Sequence, residues 1–251
     1  AADNLSLVQR FQGVLSDGSE SMPIRFNTLI GEDGEVQISL HAFRLTRASR
    51  FVRSHWHNGG RKVSEFRLTG VTDDGLHFET DSLSFNTLGE RWSGKNNSHW
   101  SKPQGDVGKA IFVRRLDVAV EHTALQFRLK GFECFPILHA DSPLGNIVAA
   151  GQANLTDPDR ISGFITITAK SLPDDHLRWR SDSEKLIEHC RRILSLASST
   201  MLKAPILEFI HGAQLEVEIL SQSTQHAPRM RVFHKLDLQP VLERAITSYF
   251  A

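Results

Sequence analysis

The chain has 251 residues, 40% hydrophobic and 23% charged, with 29 Lys plus Arg against 29 Asp plus Glu. That length suffices for one large domain or two modest ones, and the composition argues against intrinsic disorder. The cancelled charge excludes a global field that would attract nucleic acid or anionic lipid, so electrostatic binding has to come from local patches.

Cys134 and Cys190 stand among apolar neighbours and read as small buried hydrophobes rather than a bridge. No apolar run approaches the ~18 residues of a membrane span, and no charged start precedes a hydrophobic stretch as in an export signal. A cytoplasmic location is therefore expected. The sequence opens Ala-Ala-Asp and stops at Ala251 directly after an apolar helical pattern, as expected of a fragment of a longer polypeptide.

The first two-thirds read as strands punctuated by turns. Asp17-Gly18, Asp33-Gly34 and Asp74-Gly75 each lie between apolar stretches. Asp-Gly suits the positive φ angles of tight hairpins, so a meander is expected. Ile111 to Val120 is predicted to pair with Leu125 to Lys130 across a turn at Glu121-His122-Thr123. In the second arm Leu125, Phe127 and Leu129 alternate with Gln126, Arg128 and Lys130. Ile165 and Ile167 alternate with Thr166 and Thr168 in another half-buried strand.

The pattern changes near Ser181, where Ser181-x-x-Glu184 makes a capping box. Leu186, Ile187, Cys190, Ile193, Leu194, Ala197 and Met201 follow at helical spacing. Leu215, Val217 and Ile219 alternate with polar neighbours as a strand, and a short strand is expected from Met230 to His234. A last helix is predicted from an N-cap at Asp237, with Pro240 in its first turn and an apolar face of Leu238, Val241, Leu242, Ala245, Ile246 and Tyr249.

The predicted class is mainly β with an α+β C-terminal part: an antiparallel sandwich or barrel-like fold closed by two amphipathic helices. The expected domains are a β-rich, sandwich-like one at 1–170 and an α+β region at 171–251 that leads towards a further helical domain.

Between Val36 and Ser64 no Asp or Glu appears, while Arg44, Arg47, Arg50, Arg53, Arg61 and Lys62 stand with His41, His55 and His57. Phe43, Phe51 and Trp56 are interleaved. A second basic stretch from Arg91 to Arg115 holds Lys95, Lys102, Lys109 and Arg114 with Trp92 and Trp100, opposed only by Asp106. Guanidinium groups grip phosphates and aromatic faces stack on bases. The two segments are therefore the candidate polyanion surface, with Trp56, Trp92 and Trp100 as stacking platforms. The competing reading is a solvated edge whose arginines pair with Asp73, Asp74, Glu79 and Asp81.

No catalytic or metal-binding motif emerges. His55-Trp56-His57 puts two imidazoles on one face of an extended segment, but no ligand at metal spacing completes the set. His139-x-Asp141, and His176 beside Asp174 and Asp175, have base–orienter spacing without a Gly-x-Ser-x-Gly nucleophile elbow. No cofactor is implied, and this segment is read as non-catalytic.

Several stretches carry a family texture: Phe11-Gln-Gly13, Glu32-Asp-Gly34, Phe66-Arg-Leu-Thr-Gly70, Asp74-Gly-Leu76, the helix with Leu194-Ser-Leu-Ala-Ser198, and Leu236-Asp-Leu-Gln-Pro-Val-Leu-Glu-Arg244. In these the chain resembles the N-terminal domains of ApeA-type bacterial anti-phage proteins, which precede a C-terminal HEPN ribonuclease domain. The resemblance implies a sensor or regulatory module, binding a phage-derived or nucleic-acid trigger and controlling an effector attached in the same chain or a partner chain. Self-association is compatible with it. Arg50-x4-His55 matches the spacing of the HEPN catalytic motif. In that family the motif lies on a helix; here it falls in a β-patterned region, and no catalytic residue is carried over. The alternative is a glycan- or protein-binding β-sandwich.

Overall fold

The computed structural model describes residues 8–31, 34–41, 43–44, 66–87, 89, 91–93, 98–132, 134–151, 161–198, 201–221 and 237–251. The chain divides into two compact units: unit 1, Ala1–Arg114 with Ile219–Ser221, and unit 2, Arg115–Glu218 with Gln222–Ala251.

Unit 1 is built from β1 (Val8–Ser16), β2 (Ser21–Ile30), β3 (Val36–Leu40), β4 (Phe43–Arg44), β5 (Phe66–Val71), β6 (His77–Thr87), β7 (Arg91–Ser93), β8 (Ser98–Ser101), β9 (Gln104–Val107) and β10 (Lys109–Arg115). The Asp-Gly turns form as expected, with Gly18, Gly34 and Gly75 at φ 92°, 83° and 82°. At the first of them Asp17 Oδ1 accepts from the backbone N–H of Ser19 and Glu20 at 2.8 and 2.7 Å.

Alternation then decides the architecture. In β2, Met22, Ile24, Phe26 and Thr28 point inward while Ser21, Pro23, Arg25 and Leu29 are exposed. Six antiparallel strands, in the order β1-β2-β3-β9-β6-β5, close on themselves as a barrel. Closure depends on β9, which pairs with β3 on one side and β6 on the other. A Cβ on Gly105 would lie 2.3 Å from the Ser84 carbonyl oxygen, so a side chain there would push the closing strands apart. The core centres on stacked Phe11 and Phe26, with ring centroids 5.1 Å apart, and on Phe78 and Phe112 against them. β10 continues the wall beside β6. A separate three-stranded sheet, β4-β8-β7, is inserted in this unit.

Unit 2 comprises β11 (Ala124–Lys130), β12 (Cys134–Ser142), β13 (Gly145–Gly151), β14 (Ile161–Thr168), α1 (His176–Ala197), β15 (Lys203–His211), β16 (Gln214–Leu220) and α2 (Gln239–Phe250). Its antiparallel sheet runs β12-β13-β14-β11-β15-β16. Leu125, Leu129, Ile165 and Ile167 are fully buried against Leu186, Ile187, Cys190 and Leu194 of α1 and Leu242 and Ile246 of α2. Trp179 sits in the same core and donates its indole N–H to the Leu144 carbonyl at 2.8 Å. Burial pushes the Cys190 thiol up to about 12, so it behaves as a hydrophobe.

The protein is thus mainly β, barrel-forming, with two amphipathic helices in its C-terminal part. Local details differ from expectation. β11 pairs with β14 and β15 rather than with residues 111–120, because alternation specifies a buried face but no partner. Helix α1 starts five residues before Ser181, capped by Asp175, whose Oδ1 accepts from Arg178 N–H at 2.9 Å; Glu184 instead pairs with Arg180. Met201 lies beyond the helix and is exposed. The N-cap of α2 is Leu238 rather than Asp237, although Asp237 Oδ1 still accepts from the Gln239 N–H at 3.0 Å. The strand expected at Met230–His234 lies outside the described residues.

Candidate nucleic-acid interface

Cationic side chains on a sheet form a surface only if register brings them together. In the small sheet, Phe43 and Arg44 pair with Ser101 and Trp100, while Arg91, Trp92 and Ser93 pair with Trp100, His99 and Ser98. Arg44, Trp100 and Arg91 therefore occupy one row across three strands. The two basic–aromatic segments, 36–64 and 91–115, thus meet in a single sheet, although more than 25 residues separate them in sequence.

The barrel wall beside this sheet adds described side chains. Lys102 follows β8, is exposed, and donates its backbone N–H to Gly89 O at 3.3 Å, a crossing that a Cβ on Gly89 would obstruct at 2.4 Å. His41 leads from β3 into β4. Its N–H bonds Arg25 O at 2.9 Å, and its Nε2 donates to Asn27 Oδ1 at 3.0 Å. Burial first, then the charges of Arg10, Arg25 and Lys102, hold this imidazole below its ordinary range. Arg47, Arg50, Arg53, His55, Trp56, His57, Arg61, Lys62 and Lys95 lie outside the described residues.

The competing reading holds for one pair, Arg114 of the second basic stretch with Asp74, whereas Arg67 lies outside both stretches. Asp74 takes Arg114 at 2.6 Å and Glu79 takes Arg67 at 2.5 Å. Arg114 is thereby withdrawn from the second basic stretch. Arg10 and Arg25 are the residues that composition missed. The β1–β2 register places Arg10 opposite Asn27 and Gln12 opposite Arg25, so counting outward from the Asp17-Gly18 turn would have found them.

The base–orienter pairs dissolve into structural roles. Asp141 lies 3.9 Å from Lys170, and the His139 backbone engages the Gln239 carboxamide. Asp175 caps α1, while His176 stacks on His211 with centroids 4.3 Å apart. Among the described residues no group of three or more His, Cys, Asp or Glu could hold a metal ion, and no helix is long and apolar enough to cross a membrane. Compared with known proteins, the chain matches no family model, no curated relative and no solved structure.

Proposed function

We propose that the chain is a non-catalytic, trigger-binding module whose unit 1 binds single-stranded nucleic acid along the β4-β8-β7 sheet. The observation that carries this reading is the row Arg44–Trp100–Arg91, which joins two cation-rich, aromatic-rich segments. Arginine tracks a phosphate backbone while tryptophan stacks on unpaired bases, and neither demands a particular sequence. The resemblance to ApeA-type domains extends the proposal to a sensor in prokaryotic antiviral defence that restrains an attached effector.

The test is binding of a labelled single-stranded oligonucleotide across a salt series, with Arg44, Arg47, Arg50 and Arg53 replaced together by Glu. The wild type is expected to show log K falling linearly with log salt, and the variant to lose up to about 3 units of that slope, at roughly 0.7 per phosphate contact. Absence of binding at low salt, or an unchanged slope in the variant, overturns the reading. Salt-independent capture of a neutral glycan would assign the same surface to carbohydrate recognition instead.

A further inference from the structure

The outer face of the barrel carries a second cluster that the basic segments do not contain. Outward positions of β1, β2 and β3 form two rows, Arg10–Asn27–Ser39 and Gln12–Arg25–His41. Opposed residues lie about 5 Å apart and diagonal ones about 7–8 Å, so Arg10, Arg25 and His41 can reach a common point. The Leu40 N–H bonds Pro103 O at 2.9 Å, which brings Lys102 alongside. Arg10, Arg25 and Lys102 are exposed, and among the described residues no carboxylate pairs with any of them. Asp106 on β9 accepts from Asn86 Nδ2 at 2.8 Å. Ser39 Oγ, shielded from solvent between Asn27 and Gln104 in register, makes no hydrogen bond. Three like charges around an imidazole repel one another unless an anion sits among them.

We propose that Arg10, Arg25, Lys102 and His41 form a seat for one phosphate group. The two guanidinium groups bind its oxygens as charge-assisted donors and Lys102 adds a point charge. Asn27 holds Nε2 of His41, which leaves Nδ1 to receive a proton from solvent and donate it to the anion as a hydrogen bond. Unliganded, burial and the cations of β1, β2 and the β8–β9 link disfavour that proton. A seated anion reverses the balance, so anion binding takes up a proton and tightens as pH falls through the histidine range. The seat deepens the nucleic-acid reading and rests on it only for the source of the phosphate.

The decisive measurement follows the His41 ring signal by NMR while the intact chain is titrated with inorganic phosphate. The signal is then titrated against pH with and without sulfate, which stays fully charged across this range. The expected result is a saturable His41 shift, a His41 midpoint raised by sulfate, and about tenfold weaker binding in Arg10→Gln/Arg25→Gln. Arg67→Gln, a single charge loss elsewhere on the barrel and the match for Arg10→Gln or Arg25→Gln alone, should leave the shift intact. If the double variant fails to fold, Lys102→Gln, outside any strand, serves in its place.

A His41 signal indifferent to phosphate and sulfate, or an identical shift in the seat variants, overturns the proposal. Preference for a 5′-phosphorylated over a 5′-hydroxyl oligonucleotide assigns the seat to a chain end; equal binding with the same His41 shift assigns it to the backbone diester. Oligonucleotide binding with a silent His41 sinks the seat alone. A phosphate shift without oligonucleotide binding upholds the seat and sinks the broader function.

Discussion

The two units hold groups of cations that are used in opposite ways. In unit 2 a group of arginines is internally matched. Arg180 reaches Glu184 and Glu216, both at 2.8 Å, over the Phe209 ring; Arg128 meets Glu208; Arg191 and Arg192 share Glu188. In unit 1, Arg67 and Arg114 are paired, but Arg10, Arg25 and Lys102 face outward with no carboxylate paired to them among the described residues. The difference follows from how each sheet is completed. A barrel encloses its own core and leaves its outer wall free to carry function. An open sheet needs helices to cover it, and charged residues trapped beneath them require partners. A cation's meaning therefore depends on which face its strand presents, and composition alone does not report that.

Edges show the same contrast. The barrel of unit 1 removes them by closing through β9. Unit 2 leaves β12 at the margin, where Pro136 and a side-chain clamp blunt it. In that clamp Gln239 Oε1 accepts from His139 N–H at 3.1 Å, and its Nε2 donates to His139 O at 2.7 Å, a carboxamide standing in for a neighbouring strand.

The largest expected effect comes from breaking closure. Gly105→Val should cost about 3 kcal/mol, because its side chain meets backbone rather than a movable neighbour; chemical denaturation would register it as a lower midpoint. Near-wild-type stability would mean that β9 does not lock the barrel. Gln239→Ala is expected to cost less, about 1 kcal/mol, because it removes two hydrogen bonds to an exposed stretch of β12 whose backbone groups then turn to water. Light scattering on this variant should also detect concentration-dependent association through the bared edge; loss of stability without association would show that Pro136 suffices.

The smallest effect is titration of the stacked imidazoles in unit 2. Burial, then the neighbouring His176, lowers the proton affinity of His211, whose Nδ1 lies 2.8 Å from Thr123 Oγ1 and whose ring runs parallel to Phe209. The unfolded chain binds that proton more readily. The stabilisation is therefore complete above the ordinary histidine value of 6.5 and is lost as pH falls through the folded value. Urea melts at pH 7.5 and 5.5 should show the decline, and His211→Gln should flatten it. His41 carries the same sign in unit 1 and contributes to the slope that remains.

Features encoded by near neighbours were legible in the sequence. Gly18, Gly34 and Gly75 mark their turns because only glycine takes their φ angles cheaply. Ile165 and Ile167 reveal their strand through burial on one face. Partnership was not legible. Ile111–Arg115 and Leu125–Lys130 each alternate correctly, yet join different neighbours. The N-terminal turn of α1 was hidden because Arg178 and Arg180 look polar, whereas Arg180 lies largely buried against Glu216. At the candidate interface, local composition marked Arg44, Lys102 and Trp100, while Arg10 and Arg25 needed strand register and the outward parity of β1 and β2.

Trp179 has a use beyond packing. Trp56, Trp92 and Trp100 all belong to unit 1, so the indole held by Leu144 is the sole tryptophan of unit 2. A chain with the other three replaced by Phe would carry one indole, on the buried face of α1. Its emission would move to longer wavelength when that helix lifts from the sheet, so the protein contains its own optical gauge of helix docking.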